Sequence, residues 1–259
     1  MLQGARHSRK RRLGTRRQPE ASRSAILQAA LVEFAQEGLP GARMGAIAEA
    51  AGVNKALLYY YFHDKDALYG AVLDEFFSRF LVRLTEVLDR PATAGERFLS
   101  YVRAHFDTVA ESPHYARIFV GEMMSAGRSG SPHLERLFAK YLRPTASRIL
   151  GVLEEGIATG EFRFVQAEQF MPSAVGTIVH YFAVAPLLRK FRPLDPFSRQ
   201  AIRERRAAVL DFAAAALFTD RDAGIQLAAK IAAAGEENRP SSPTAEPGER
   251  RKAKWKGRP

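Results

Sequence analysis

The 259-residue chain contains no cysteine, so neither a disulfide nor a thiolate can hold it together or carry its chemistry. It also has no run of about 18 apolar residues of the kind that spans a bilayer. Its first residues, MLQGARHSRKRRLGTRRQ, are basic but lack the apolar stretch of a secretory signal. These absences set a cytoplasmic protein, with no membrane partner, as the expectation. The six histidines, at positions 7, 63, 105, 114, 133 and 180, form no H-E-x-x-H, and there is no P-loop, G-x-S-x-G or dinucleotide fingerprint. No enzymatic activity, cofactor or metal is expected. His105, His114 and a carboxylate are the one combination with ligand chemistry, and lone helical histidines are more often structural or solvent-exposed.

What is present is concentrated in Met44 to Phe62, MGAIAEAAGVNKALLYYYF. Met44, Ile47, Ala48 and Ala51 follow the i, i+3, i+4, i+7 spacing of a buried helical stripe, with alanines small enough for close helix approach. Gly52 stops that helix, Val53 packs back under the turn, and Asn54 suits the N-cap of the next. At 100° per residue, Leu58, Tyr61 and Phe62 share one face of the second helix, and Lys55, Ala56, Tyr59 and Tyr60 share the opposite one. Three tyrosines at consecutive positions cannot all point inward, so the second face is left for a partner. Its cation, phenols and small residue are the groups that meet phosphates and base edges in a DNA groove. Two short helices joined by a glycine turn are the unit that presents such a face.

These residues resemble the TetR-type transcriptional regulators. The similarity runs from Arg23 to about Leu73 and includes I-A-x-x-A-G-V-x-K-x-x-L-Y-x-Y-F at Ile47 to Phe62, then x-x-K-x-x-L at Lys65 and Leu68. The resemblance implies a first helix over Ile26 to Gln36, a second over Met44 to Ala51, a recognition helix over Asn54 to Phe62 and a connector helix from Asp64. It also implies phosphate contacts for Asn54, Lys55, Tyr60, Tyr61 and Lys65, and base contacts for Ala56 and Tyr59. Two positions depart from the pattern. Ala42 and Arg43 stand where the family often has a capping Thr or Ser, a loss of about 1 kcal/mol, and Arg43 is expected to hold the phosphate directly. Leu57 replaces a smaller or hydroxylated residue and reads as packing at the edge of the buried face.

Charge is unevenly spread. The net charge is +11, yet residues 1–18 hold seven basic and no acidic side chains, and residues 236–259 hold seven basic and four acidic. The stretch between holds 25 basic and 24 acidic residues, so the overall basicity is no argument for a basic face on the fold. Arg6, Arg9, Lys10, Arg11, Arg12, Arg16 and Arg17 lie just ahead of the first helix. Basic arms in that position reach a neighbouring minor groove in homeodomains; a solvated tail, or residues upstream of the true start, is the other reading. The segment from Glu236, rich in Pro, Ser, Gly, Glu and Lys with Trp255 its one aromatic, reads as disordered. Its last ten residues would add non-specific attraction to nucleic acid or solubility.

From Asp64 onward the chain reads as helix throughout, with no strand pattern and no internal repeat. Leu68, Val72, Phe76, Phe80 and Leu84 form a ridge on a helix ended by Pro91. Further helices are expected over Thr93 to Glu111, with Phe98, Val102 and Phe106 inward, and from Pro113 to about Gly127. Others run from Ser131 to Ile157, stopped by Gly160, over Gln166 to Arg189, from Pro196 to Phe218 after the breakers Pro193, Asp195 and Pro196, and from Asp222 to Ala234. The two long late helices are apolar nearly all round, which means deep core or a face shared with a second subunit. The resemblance implies the latter, an intersubunit four-helix bundle.

The middle helices carry Tyr101, His105, Phe106, Phe119, Met123, Phe138 and Tyr141, joined by His180 and Tyr181 from a later helix. Such walls suit a small-molecule pocket, although Met and aromatic stripes also make plain core. By resemblance they would bind a small hydrophobic or aromatic effector, with any acidic group near Arg103 or His105. The sequence thus predicts an all-α homodimer: a disordered basic arm (1–18), a helix-turn-helix DNA-binding domain (19–66), a helical effector-binding and dimerisation domain (67–235) and a disordered basic tail (236–259). The expected function is a sequence-specific transcriptional regulator that reads a palindromic operator in double-stranded DNA, as a repressor released by its ligand. The competing readings are a nucleic-acid-coating protein driven by its tails and, more remotely, a helical enzyme.

Overall fold

In the computed structural model, residues 19–129, 131–191 and 195–234 are described. The basic stretch before Pro19, the tail from Glu236 and the breaker Pro193 lie outside the described residues. Among the described residues eleven α-helices follow one another, and the one β-type contact is an isolated bridge between Phe162 and Phe218. The helices are α1 Pro19–Gly41, α2 Met44–Ala50, α3 Lys55–Tyr61, α4 Lys65–Leu88, α5 Ala94–Glu111, α6 Pro113–Ser129, α7 Pro132–Leu137, α8 Arg143–Ala158, α9 Ala167–Phe191, α10 Arg199–Leu217 and α11 Arg221–Ala233.

α1 begins seven residues before the expected Ile26. Pro19 lacks an N–H that the first turn could not have used, and Glu20 adds an acidic group at the positive end of the helix dipole. The helix breaks at Gly38, whose φ of +68° is outside helical geometry. α4 is capped by Asp64, which accepts the Ala67 N–H at 2.7 Å. Its ridge is wider than the expected row of residues four apart: Leu68, Val72, Phe80 and Leu84 are buried with Leu73 and Phe77, whereas Phe76 is half-buried and stacks on Tyr115 at 3.9 Å.

α5 is the hub, packed by α4, α6, α8, α9, α10 and α11. A capping box of Thr93 and Glu96 starts it, and Phe98, Leu99 and Phe106 are fully buried. Within this core the Tyr101 hydroxyl lies 3.3 Å from His105 Nδ1, and the His105 ring sits 4.9 Å from that of Phe80. A buried ion network ties α5 to the last helices: Arg206 Nε donates to Asp107 at 2.8 Å, and Arg103 donates to the Ile231 carbonyl at 2.9 Å.

The single helix expected from Ser131 to Ile157 is α7 and α8 joined through a π-helical turn, Phe138–Leu142. Pro144 explains the difference. It cannot donate to the preceding turn and its ring collides with a carbonyl there, and widening that turn accommodates both. α9 contains two prolines, Pro172 and Pro186. It is long and apolar enough to cross a membrane by length and composition, which the expected absence of a long apolar run did not foresee, yet Ser173, Thr177 and His180 interrupt it. One face, Ala174, Ile178, Phe182 and Ala185, is buried on a helix that packs against α5 and α6; the rest is half-buried or exposed.

The helices up to α3, the head, and those from α4 onward, the body, share one continuous core, from Ile26 in α1 to Ile231 in α11. A buried polar knot fastens them. Tyr69 packs edge-on against Phe34 at 4.9 Å and donates its hydroxyl to Glu122 at 2.7 Å, while Ser131 donates to the other carboxylate oxygen. Burial and the Glu122 carboxylate push the Tyr69 phenol pKa far up, so it stays a donor. One turn away, His133 Nε2 lies 2.9 Å from Asp66.

Tyr69→Phe leaves a buried carboxylate oxygen without its donor and is expected to lower the unfolding free energy by about 1–3 kcal/mol; an unchanged urea midpoint would contradict the role given to the knot. Burial also holds the His105 pKa down at about 4, against an ordinary 6.5. As the pH falls the unfolded chain takes up this proton first, so the fold loses about 3 kcal/mol from this residue between pH 7 and pH 4. The unfolding free energy of His105→Phe, relative to the parent, is expected to rise by that amount over this range. A pH-independent difference would show that the ring is not held neutral.

Candidate nucleic-acid interface

The α2–α3 turn is closed by two backbone bonds, Gly52 N–H to Glu49 O at 3.1 Å and Val53 N–H to Ala48 O at 3.0 Å. This closure requires a left-handed residue between them, and Gly52 supplies it at φ +66° without a Cβ penalty. Val53 packs on the core as expected. Asn54 then caps α3, its Oδ1 accepting the Leu57 N–H at 2.7 Å, and its amide nitrogen remains a donor. Ile47, Ala48 and Ala51 from the first helix and the turn, and Leu58 and Phe62 from the second, are buried in one core.

That packing fixes what α3 turns outward. Lys55 and Ala56 are exposed, Tyr59 is 49% exposed and Tyr60 81%. Leu57 is half-buried between the two faces. The Lys55 stem lies over the first turn of α2, where a Cβ on Gly45 would stand 3.0 Å from Lys55 Cε. Lys55, Ala56, Tyr59 and Tyr60 thus form one exposed, cationic and phenolic face.

The remaining expected contact residues surround this face but have structural bonds of their own. The Tyr61 hydroxyl donates to the Pro19 carbonyl at 3.0 Å. The Lys65 ammonium donates to the carbonyls of Pro40 and Ala42 at 2.9 and 3.2 Å, holding the end of α1 and leaving a third proton. Arg43 precedes α2 without a side-chain cap; instead Glu33 of α1 accepts its N–H at 3.0 Å. The Arg43 side chain is exposed and makes no capping bond. Two residues escaped the sequence reading. Glu33 accepts the backbone N–H of the N-cap residue Arg43 from ten positions away, and Arg23 sets its guanidinium 5.6 Å from the Phe62 ring centre, a cation held at the end of α3. Neither has a local signal.

The expected pocket residues divide. Tyr101, His105 and Phe106 are buried together on α5, Tyr141 is buried and donates to Asp74 at 3.1 Å, and Phe119 is half-buried at 5.8 Å from Phe77. Tyr181 is half-buried and donates to the Pro196 carbonyl at 2.9 Å. Met123, Phe138 and His180 are exposed in the single chain and are not brought to that cluster. Two shallow surface depressions, of about 330 and 420 Å³, are lined by other residues, around Val82 on α4 and around Phe164 before α9. Burial and Arg117 lower the His114 pKa. Among the described residues no group of three or more His, Asp or Glu side chains stands close enough to hold a metal ion.

Comparison with known proteins places this geometry. Residues 26–72 match the family model of bacterial regulatory proteins, tetR family, and residues 95–212 match that of the tetracyclin repressor-like C-terminal domain. The chain is 30% identical to the HTH-type transcriptional regulator RutR of Escherichia coli K12 over 166 residues, 64% of this chain and 76% of that protein. It is 27% identical to the fatty acid metabolism regulator protein of Bacillus subtilis over 138 residues, 53% of this chain and 69% of the relative. The fold superposes on that of the ketosteroid transcriptional regulator KstR2 of Mycobacterium tuberculosis with a TM-score of 0.61 and 21% identity, covering 76% of this chain and 95% of the other. Two family models that together span most of the chain, on a fold that presents the expected recognition face, give the conclusion that the protein belongs to the tetR family of DNA-binding transcriptional regulators.

Proposed function

We propose that the protein is a homodimeric repressor that binds a two-fold operator through α3 and leaves it when a small apolar effector binds the helical body. The observation that carries this reading is the division of α3, with Leu58 and Phe62 buried beneath an exposed face of Lys55, Ala56, Tyr59 and Tyr60. In this reading residues 19–66 are the reading head and residues 67–235 the responding body. Lys55, Arg43, Asn54, Tyr60, Tyr61 and Lys65 contact the phosphate backbone and fix the register; Tyr59 and Ala56 face bases. Tyr61 and Lys65 combine that contact with the backbone bonds that hold the head together.

Dimerisation is supported by apolar surface that one chain leaves open. Leu187 and Phe191 on α9 and Phe212 on α10 are 49%, 76% and 52% exposed, and a Cβ on Gly176 would meet nothing within 4 Å. A second copy laid against α9 and α10 covers these residues and sets two recognition helices about 34 Å apart, as a two-fold site requires. The apolar character of the effector is supported by the concentration of aromatic side chains on α5 at the centre of the body, and by one relative being named for fatty acid metabolism.

Selection from a random duplex library by the full-length protein, at about 0.15 M salt, is expected to return a palindromic consensus. On it, Lys55→Ala weakens binding to all sequences and flattens the salt slope, whereas Tyr59→Ala changes which sequences are preferred. Binding without any enriched sequence would instead favour tail-driven attachment. Sedimentation at micromolar concentration is expected to give twice the monomer mass, 28.8 kDa; a monomer would refute the two-fold reading.

A further inference from the structure

The stretch from Pro40 to Arg43 carries the chain from α1 into α2. α1 loses helical geometry just before it, at Gly38 with φ +68°, and α2 is a seven-residue helix entered without a side-chain cap at Arg43. So short a helix has little stability of its own. Contacts from outside it must set where it starts.

Two charged side chains grip this stretch from different helices. Glu33, half-buried in α1, accepts the Arg43 N–H on Oε1 at 3.0 Å. Lys65, in the first turn of α4, donates to the carbonyls of Pro40 and Ala42 at 2.9 and 3.2 Å. The acid takes the N–H and the ammonium takes the carbonyls, so each meets a backbone group of opposite polarity. Bonds of this kind, with one ionised partner, are roughly twice as strong as neutral ones. Between them the Ala42 side chain is buried in the core. The Arg43 side chain stands exposed at the end of the gripped stretch.

Charge and geometry give Glu33 opposite signs. A carboxylate beside a phosphate contact opposes DNA binding on charge alone, whereas its bond fixes the backbone that carries that contact. We propose that Glu33 is a positioning residue for DNA binding: against the counter-grip of Lys65 it holds the Arg43 backbone so that the guanidinium is placed for phosphate before DNA arrives. The proposal rests on the reading of Arg43 as a phosphate contact. Without the bond the stretch samples other positions, and the apparent affinity falls in proportion to the time spent in the competent one.

The test uses two full-length variants of equal charge. Glu33→Gln keeps a side-chain oxygen that accepts the Arg43 N–H, whereas Glu33→Leu puts a good helix former at the site but offers no acceptor. Both lose the same negative charge, so the difference between them isolates the bond. On the selected palindrome Glu33→Gln is expected to bind no more than about twofold more weakly than the parent. Glu33→Leu is expected to bind at least about fivefold more weakly than Glu33→Gln, the loss of about one hydrogen bond. Its log–log salt slope is expected to be shallower than that of Glu33→Gln, by up to about 0.9 for each phosphate released; a smaller folded fraction alone leaves the slope as it was. In an Arg43→Ala background the two substitutions are expected to bind alike. Equal binding by Glu33→Gln and Glu33→Leu when Arg43 is present, or a gap between them that persists without it, overturns the proposal. Arg43→Ala by itself separates the two levels. Parental affinity and salt slope in that variant contradict the phosphate contact and, with it, the proposal; weakened binding there, with equal binding by Glu33→Gln and Glu33→Leu, overturns the role of Glu33 alone.

Discussion

The presentation of Tyr59 and Tyr60 depends on how α2 ends. Gly52 takes a left-handed conformation at φ +66°, and the two closing bonds to Glu49 and Ala48 are made only in that conformation. The chain then has two residues, Val53 and Asn54, before α3 begins, one packed on the core and the other capping the helix. A different crossing of α2 and α3 would bury the wrong side of a helix only seven residues long. So short a helix contributes little stability of its own, and its orientation is set by Leu58 and Phe62 beneath it.

The head is fastened to the body through polar groups as well as apolar ones. Lys65 and Asp66 sit in the first turn of α4, directly after the recognition helix; one holds the end of α1 and the other meets His133 of α7. One turn further on, Tyr69 reaches Glu122 of α6. The start of α4 is thus gripped from the head on one side and from α6 and α7 on the other. A rearrangement of α6 within the body must move α4 or break the buried Tyr69–Glu122 hydrogen bond, and the latter is expensive. For a two-headed reader, a small tilt of α4 in each subunit changes the distance between recognition helices, so a body that responds to a ligand has a direct mechanical route to the DNA.

Much of this was legible in the sequence where the determining contacts are local. The stripe of Met44, Ile47, Ala48 and Ala51, the stop at Gly52, the Asn54 and Asp64 caps and the two faces of α3 all follow from neighbours within a turn or two. Contacts across long sequence separations were not legible. Glu33 with Arg43, Tyr61 with Pro19, Lys65 with Pro40 and Tyr69 with Glu122 join residues 10 to 53 positions apart. The early start of α1 was missed because its first turn has no apolar period to announce it. The widened turn before Pro144 shows the limit differently: the proline is visible, but whether a helix ends, kinks or widens there depends on what packs around it. In the body, Met and aromatic residues at helical spacing did not separate the buried Tyr101 and Phe106 from the exposed Met123 and Phe138, because which apolar side chains are covered is decided by the neighbouring helices.

The most direct measurement is a hydroxyl-radical footprint of the full-length protein on its selected duplex, read on both strands. The account predicts two groups of protected backbone positions, related by two-fold symmetry and centred about one helical turn apart on one face of the DNA. A single unpaired group, or uniform protection along the duplex, would contradict paired reading by two outward-facing α3 helices.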